Sequence, residues 1–574
     1  MRLRDRLPNY LIEADITDYE TESSVIIYKD GLETVGVNSQ TGVIISHDVN
    51  SRVVFNAVFT AMATGGLLFI KKGTYTLDAT GGAILATPGS FWVHGEGPTT
   101  ILNLDGTILQ MGSADKVKIS DLKIAGLRGL KLYCTADHNT YVLQNIIFNV
   151  TGTTDQAAFA VYANDCTISD IWVDKVFFDT CGLHGIQLSG NLAETHELNN
   201  IWITDCHAYK CGWSGTWSTG MDLAEGANVS NLFVDNCKVE LSWESGIHFE
   251  AARTKTNVLI TDCISINNGQ KGGATYGAGF LVSGGVKLVN CLSSGNLNGF
   301  TMTDTGTTAT ILENCMDIGS AQSFNIGATG TTGKLIGRGC VSIKSTVKSL
   351  LVRDASYVDF ELIAIGSLST GSATCDCSSA ADPTLKSRFN FCILDPDPTP
   401  AIAVVTNSSV NCEYSGFIRA TNLVGFKVYN GTDIIIKDMR FDMDCIADAI
   451  LCSDTLSSIL CKNITIENTV GAHVLARGIN NAGTAGAVVC ERDSIYIKDV
   501  TTPYTGCVFT SNWGTSTGTG AEQAISHGLA ATPTLVMLSD VEIGANPYQS
   551  SAAAADHIHV TAIINQDWAW YARV

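Results

Sequence analysis

Proline is scarce, ten residues in 574, and charged side chains make up only 16% of the chain. Basic residues number 35 against 56 acidic ones, which leaves a net charge of −21. That balance excludes a broad nucleic-acid or anionic-membrane surface, since both need clustered Lys and Arg. Long apolar runs are missing too. The uncharged stretch over residues 57–70 is too short to cross a bilayer, and Gly65 with Gly66 interrupts it, so no membrane span is expected. The opening MRLRDRLPNYLIEAD lacks the apolar centre of a secretory signal. Synthesis in the cytoplasm without a signal peptide is therefore expected. CxxC pairs are absent and Cys375 with Cys377 makes only a CxC, so neither a metal nor another cofactor is expected.

What is present points to a folded, strand-rich chain. Hydrophobic residues reach 45%, which argues against disorder, and 55 glycines suit many tight turns. The 19 cysteines are an odd number in a long chain, unlike the frameworks of small secreted domains. Six of them end similar segments: IWITDC at Cys206, LFVDNC at Cys237, VLITDC at Cys263, VKLVNC at Cys291, TILENC at Cys315 and LIGRGC at Cys340. Apolar residues recur with period two before the cysteine, as in Ile201/Ile203 and Leu232/Val234, so each segment reads as a strand with one buried face. Asp or Asn usually precedes the cysteine, and both tolerate the left-handed conformation of a tight turn.

Five residues after the cysteines from Cys206 to Cys315 comes a second column: Cys211, Ser242, Asn268, Asn296 and Ser320. A further strand then opens with glycine and a large apolar residue, at Gly185-Ile186, Gly220-Met221, Gly246-Ile247, Gly279-Phe280 and Gly299-Phe300. Repeats of roughly this length mean a solenoid, propeller or array. No helical period runs through the units, and a propeller blade needs about 40 residues. The fold class is therefore all-β, a parallel β-helix solenoid, with the cysteines stacked as an internal ladder of reduced thiols. Disulfides between coils are the alternative, and a thiol count on denatured protein decides between them.

Residues 48–64 read as a capping helix, with Asp48, Asn50 or Ser51 as N-cap and Gly65-Gly66 as stop. A strand over residues 67–77 follows, then HGEGPTTIL from His94. This helix, the KKGTY segment and HGEGPTTIL resemble the N-terminal part of the pectate-lyase-like right-handed parallel β-helix superfamily, most closely bacteriophage tailspikes and polysaccharide depolymerases, and the resemblance implies a right-handed solenoid. Residues 512–574 read as a small C-terminal β-sandwich-like module, similar to those that end phage tail fibres. That likeness rests on Ile525-Ser526-His527-Gly528-Leu529 and Trp568-Ala569-Trp570-Tyr571. Trp568 and Trp570 share a face and read as module core, while His557 and His559 read as a solvated face. The expected organisation is an attachment segment over 1–34, the β-helix with its cap over 35–511, and the module over 512–574.

Stacking the glycine-led strands gives an outward column of Gln187, Asp222, His248, Leu281 and Thr301, and a second of Ser189, Ala224, Glu250, Ser283 and Thr303. Asp222 and His248 then lie within hydrogen-bond reach on adjacent coils. Glu250 sits diagonally from Asp222, roughly 7–8 Å away. That spacing fits the ~6.5–9.5 Å carboxyl pair of an inverting glycosidase. Asp222, His248 and Glu250 are thus the expected catalytic residues. Gln187, Trp213, Trp217, Glu225, Trp243, Glu244 and Arg253 are the expected substrate contacts, with Glu225, Glu244 and Arg253 in turns and the tryptophans as flat faces for sugar rings. Taken singly, each of these has an ordinary structural explanation, because solenoid surfaces are polar in any case.

Gly182-Leu183-His184-Gly185 departs from the Gly-His-Gly segment of polygalacturonase-like hydrolases, and no acidic calcium cluster of the pectate-lyase kind is evident. Neither mechanism carries over residue by residue. The resemblance implies a tailspike-like protein that binds and depolymerises a cell-surface polysaccharide, by hydrolysis or by elimination. It implies a homotrimer, placed on a virion tail or outside the cell after release, with the N-terminus docking to a tail protein. A non-catalytic glycan-binding spike and a structural β-helix scaffold are the alternatives.

Overall fold

The computed structural model describes residues 25–573, apart from 79–83, 86–89, 107–108, 111–115, 153–156, 191–196, 214–217, 251–253, 272–276, 304–307, 328–333, 354–356, 369–372, 379–385, 396–401, 422–423, 445–446, 454, 470–473, 484, 518–521, 527–528, 530, 541–546, 554–556 and 563–566. The chain divides into two compact units, Met1–Thr329 and Gly330–Val574.

The first unit starts with a hairpin. Val25–Asp30 pairs antiparallel with Glu33–Asn38 across Gly31, and parallel with Gly65–Ile70. The boundary expected at residue 34 falls inside this hairpin. The helix covers Ser51–Ala61, shorter than the sequence suggests. Its start is delayed because Asp48 Oδ1 accepts the Asn50 N–H at 2.8 Å in a local turn, which leaves Asn50 to cap the Arg52 N–H at 3.0 Å. Phe55 and Phe59 pack edge-on against Tyr75 and Phe91, closing the apolar end of the coil stack. Gly65 has φ +98°, and a Cβ there would lie 2.3 Å from the Ser90 carbonyl oxygen. Only glycine fits that close approach.

Beyond the cap the strands stack in parallel, coil upon coil. Ile201, Leu232, Val258 and Val286 are successive partners in one wall. Ile186, Met221, Ile247, Phe280, Phe300 and Phe324 are successive partners in another. Their inward side chains form continuous ladders, and Phe280, Phe300 and Phe324 stack face to face at 5.0 and 5.2 Å. The corner before each cysteine is left-handed, with φ near +50° at Asp205, Asn236, Asp262, Asn290 and Asn314, as the Asp/Asn preference implies. Each thiol donates into the coil before it: Cys237 Sγ to Ile203 O at 3.5 Å, Cys291 Sγ to Ile260 O at 3.7 Å. The second column is a buried polar ladder. Asn268 Oδ1 accepts from Ser242 N at 2.8 Å, and Asn296 Oδ1 accepts from Asn268 N at 2.6 Å. All described cysteines are free thiols.

The second unit uses the same coil plan. Tyr357–Ile365, Ser387–Asp395, Ser409–Ala420, Gly431–Met443 and Thr455–Glu467 pair in parallel along one wall. Ala373–Cys377, Ile402–Thr406, Val424–Val428, Asp448–Cys452 and Leu475–Asn481 pair along another. Val508–Thr517 ends the stack, parallel to Ala485–Glu491 on one side and antiparallel to Asp567–Arg573 on the other. The expected boundary at 511/512 falls within this strand. Leu535–Asp540 completes that sheet, and Glu522–Ser526, His557–Thr561 and Tyr548–Ser551 form a second antiparallel sheet. Ile558, Val560, Trp568, Trp570 and Ala572 share one core, so both tryptophans pack inside the module. His527 lies outside the described residues.

Candidate functional site

The column expected to face outward keeps the register the sequence implies, but Asp222, Leu281 and Thr301 in it are buried. Gln187 pairs with Asp222, Asp222 with His248, His248 with Leu281, and Leu281 with Thr301. The second column differs. A register shift between Gln187 and Ser189 brings Glu225, not Ala224, beside Ser189. Glu225 is consequently the last residue of the strand Met221–Glu225 and not a turn residue. Gly226, at φ +76°, makes the turn that follows it. The bulge adds a carboxylate to the wall, and the Gln187 Nε2 donates to its Oε2.

Asp222 is 3% exposed, and among the described residues its buried Oδ1 has no hydrogen-bond donor. Burial, then the negative charges of Glu225 and Glu250 and a hydrogen bond to Glu225, push its carboxyl well above the usual range and toward the protonated form. Hydrogen-bond reach to His248 was expected. The imidazole at ion-pair range is instead His184, whose Nε2 lies 3.9 Å from Asp222 Oδ2. His248 Nε2 sits 3.5 Å from Glu250 Oε1. The strand there, Ile247–His248, ends early, so Glu250 reaches past it toward that ring.

Both rings are neutral. Burial lowers His184 to about 3, helped by His248. Burial lowers His248 to about 4, with Glu244 opposing and Lys255 assisting. Glu250 is the accessible member, its side chain 45% exposed. Its backbone is fixed, because the carbonyl accepts from Lys255 Nζ at 2.6 Å and from Ser283 Oγ at 3.1 Å.

The expected substrate contacts separate into groups. Trp213 is half exposed, packs on Trp243 at 5.4 Å, and donates from Nε1 to the Leu241 carbonyl at 3.1 Å. Glu244 is buried and paired with Lys271 Nζ at 2.8 Å, so its carboxylate holds the coil together and is not offered to a ligand. Trp217 and Arg253 lie outside the described residues. His184, which the sequence offers only within Gly182-Leu183-His184-Gly185, is the site neighbour not expected from the strand columns. Its signal was its place one residue before the glycine that opens the Gln187 strand.

His184, Asp222 and Glu225 each bring one ligand-type atom within 4.8 Å of the others. The ring, however, is turned the wrong way for a metal. The Thr219 N–H donates to Nδ1 at 3.2 Å, which leaves the proton on Nε2, the nitrogen facing the carboxyls. A metal ligand needs a lone pair at that position.

Comparison with known proteins agrees with the coil architecture. Residues 155–316 match the family described as Beta_helix, right handed beta helix region. No curated protein matches the chain. The chain is similar to the tailspike of Pseudomonas phage phi297, with 10% identity, TM-score 0.34, and coverage of 91% of this chain and 92% of that one. It is similar to the tailspike of E. coli bacteriophage HK620 in complex with pentasaccharide, with 12% identity, TM-score 0.35, and coverage of 94% and 92%. A third similarity is to the A-module of the Azotobacter vinelandii mannuronan C-5 epimerase, with 13% identity, TM-score 0.21, and coverage of 79% and 92%. These likenesses concern fold alone. With its stacked parallel walls and its matched repeat, the chain folds as a right-handed parallel β-helix.

Proposed function

We propose that the chain is a tailspike-like protein that binds a cell-surface polysaccharide on the outer wall of its first unit and hydrolyses it there. The observation that carries this reading is the buried carboxyl of Asp222, in register between Gln187 and His248 and grouped with His184 and Glu225, a placement that pushes it toward the protonated form. Asp222 supplies its proton to the glycosidic oxygen as the C–O bond breaks. Glu250 takes a proton from the water that attacks the anomeric carbon, so the products gain one water. His248 beside Glu250 orients that carboxylate. Trp213, exposed and backed by Trp243, offers a ring face to a sugar. Elimination is the weaker reading, since it needs a base and neutralisation of a uronate, whereas Asp222 is arranged as an acid. The attachment of the N-terminal segment to a virion tail and a homotrimeric assembly belong to the same proposal and rest on the resemblance of the N-terminal motifs.

The test is incubation of the full chain with candidate surface polysaccharides, with products weighed by mass spectrometry. Hydrolysis adds a water to each fragment. The double variant Asp222→Asn, Glu250→Gln should lose ~10²–10⁴-fold in rate while retaining binding. Full activity in that variant, or unsaturated product ends, overturns the assignment. Saturable binding with no product selects a second reading, a spike that grips glycan without cutting it. The burial of Asp222 favours that alternative, because an acid must be uncovered before it can touch substrate.

A further inference from the structure

His184 is held from two directions. The Thr219 N–H donates to Nδ1 at 3.2 Å, and Thr219 Oγ1 lies 3.2 Å from the same nitrogen. A backbone amide can only donate, so Nδ1 keeps its lone pair and the neutral ring carries its hydrogen on Nε2. The main chain cannot rotate away. His184 O accepts from Ala158 N at 2.9 Å, the next residue's Gly185 N donates to Gly220 O at 3.1 Å, and Thr219 itself is buried. Nε2 lies 3.9 Å from Asp222 Oδ2, the Asp222 carboxyl also hydrogen-bonds Glu225 and Gln187, and among the described residues its Oδ1 is left without a donor.

We propose that His184 is a positioning residue: it directs a fixed Nε2–H at Oδ2 of Asp222 and thereby confines the acid's proton to Oδ1. The consequence for catalysis rests on the hydrolytic reading above, but the placement of the proton does not. An oxygen that accepts the Nε2–H is the poorer place for the acid's own hydrogen, so the O–H forms on the other oxygen. The gap exceeds a hydrogen bond, and one bridging water or a shift of about 1 Å closes it. The Glu225 side chain hydrogen-bonds the Asp222 carboxyl, so it is the protein acceptor beside the acid, and a bound acceptor must compete with it for the proton. The titratable groups facing this pair are Glu225, Glu250 and His248.

Two measurements test this on the full chain. The first is nitrogen-15 NMR of histidine-labelled protein, with His184 assigned by its loss in His184→Gln. Protonated Nε2 and bare Nδ1, unchanged between pH 5 and 8 and on addition of zinc chloride, are expected. A protonated Nδ1, or a zinc-induced shift at Nε2, overturns the proposal. The second follows the Asp222 carboxyl by carbon-13 NMR, with Asp222→Asn for assignment. His184→Ala removes a donor that favours the ionised form, so the Asp222 titration should move to higher pH, and His184→Gln, which keeps an N–H donor, should restore most of it. An unmoved titration in His184→Ala overturns the proposal even where no polysaccharide is cleaved. If cleavage is found, His184→Ala should lower kcat about tenfold or more with KM little changed, the size expected for losing one charge-assisted hydrogen bond. Equal loss in His184→Gln and His184→Ala would mark a packing role and sink the idea.

Discussion

Burial does the same thing to three side chains of the Asp222 wall: it removes their charge. The two histidines and the aspartate nevertheless respond to pH in opposite directions. His184 and His248 are depressed to about 3 and about 4 in the folded chain. In the unfolded chain they titrate near ~6.5. A depressed base stabilises the fold above its unfolded value, and that contribution fades as pH falls toward the folded value. Stability should therefore drop between about pH 6.5 and 4, by about 1.4 kcal/mol per pH unit for each ring at most. Thermal melting of His248→Gln against the parent checks this, the variant showing the shallower acid limb. Asp222 is raised, so its contribution is full below the unfolded carboxyl range and is lost as pH rises through its folded value. Asp222→Asn should accordingly raise the melting temperature, more at pH 9 than at pH 5. The same gain at both pH values in Asp222→Asn would mean the carboxyl is not held neutral. Asp222 and His248 are register partners, as the repeat of glycine-led strands implies, whereas the strand Ile247–His248 ends before Glu250. The repeat does not mark His184 as Asp222's imidazole neighbour, since that contact depends on the loop before the strand.

At the scale of the element, the coil corners carry most of what was legible. A period-two apolar pattern ending in Asp or Asn before a buried cysteine defines a strand, a left-handed corner and an inward side chain together. The register bulge at Gln187/Ser189 left no comparable mark, because Leu223-Ala224-Glu225 reads equally well with either residue outward. The corner argument gives a direct measurement. Asn290 sits at φ +54° and donates to Asp262 Oδ1 at 3.3 Å in a ladder of corner side chains. Asn290→Ala should be less stable than Asn290→Gly by about 1–2 kcal/mol, since only the β-carbon penalises the left-handed backbone. Both lose the ladder bond, so the difference isolates the conformational cost. The inward aromatic ladder should behave differently. Phe300→Ala removes a ring stacked on both sides and should cost about 3–5 kcal/mol, read as a fall in melting temperature well beyond that of either corner variant.

For the whole molecule, the decisive question is what holds the coils together without covalent links. Apolar stacking, parallel hydrogen bonding and buried ladders such as Asn268–Asn296 supply the cohesion, and the thiols join it as small donors to the preceding coil. Reactivity follows from that placement. The thiolate is the reactive form, and burial pushes thiols such as Cys206, Cys237 and Cys377 well above their ordinary value. Among the described cysteines only Cys392 and Cys507 are not fully buried, and the Cys507 thiol is lowered by a hydrogen bond from Cys490. Among the described cysteines, brief alkylation of the native chain should therefore label Cys392 and Cys507 first, with Cys507 faster, while the ladder from Cys206 to Cys315 stays unlabelled. After denaturation without reductant all 19 cysteines should react. Peptide mapping by mass spectrometry reads both results. A denatured count far below that number would mean the coils are cross-linked and the ladder misread. Early labelling of Cys237 or Cys263 would mean that the coil wall opens in solution, and the buried state of Asp222 on the adjacent wall would then lose its physical basis.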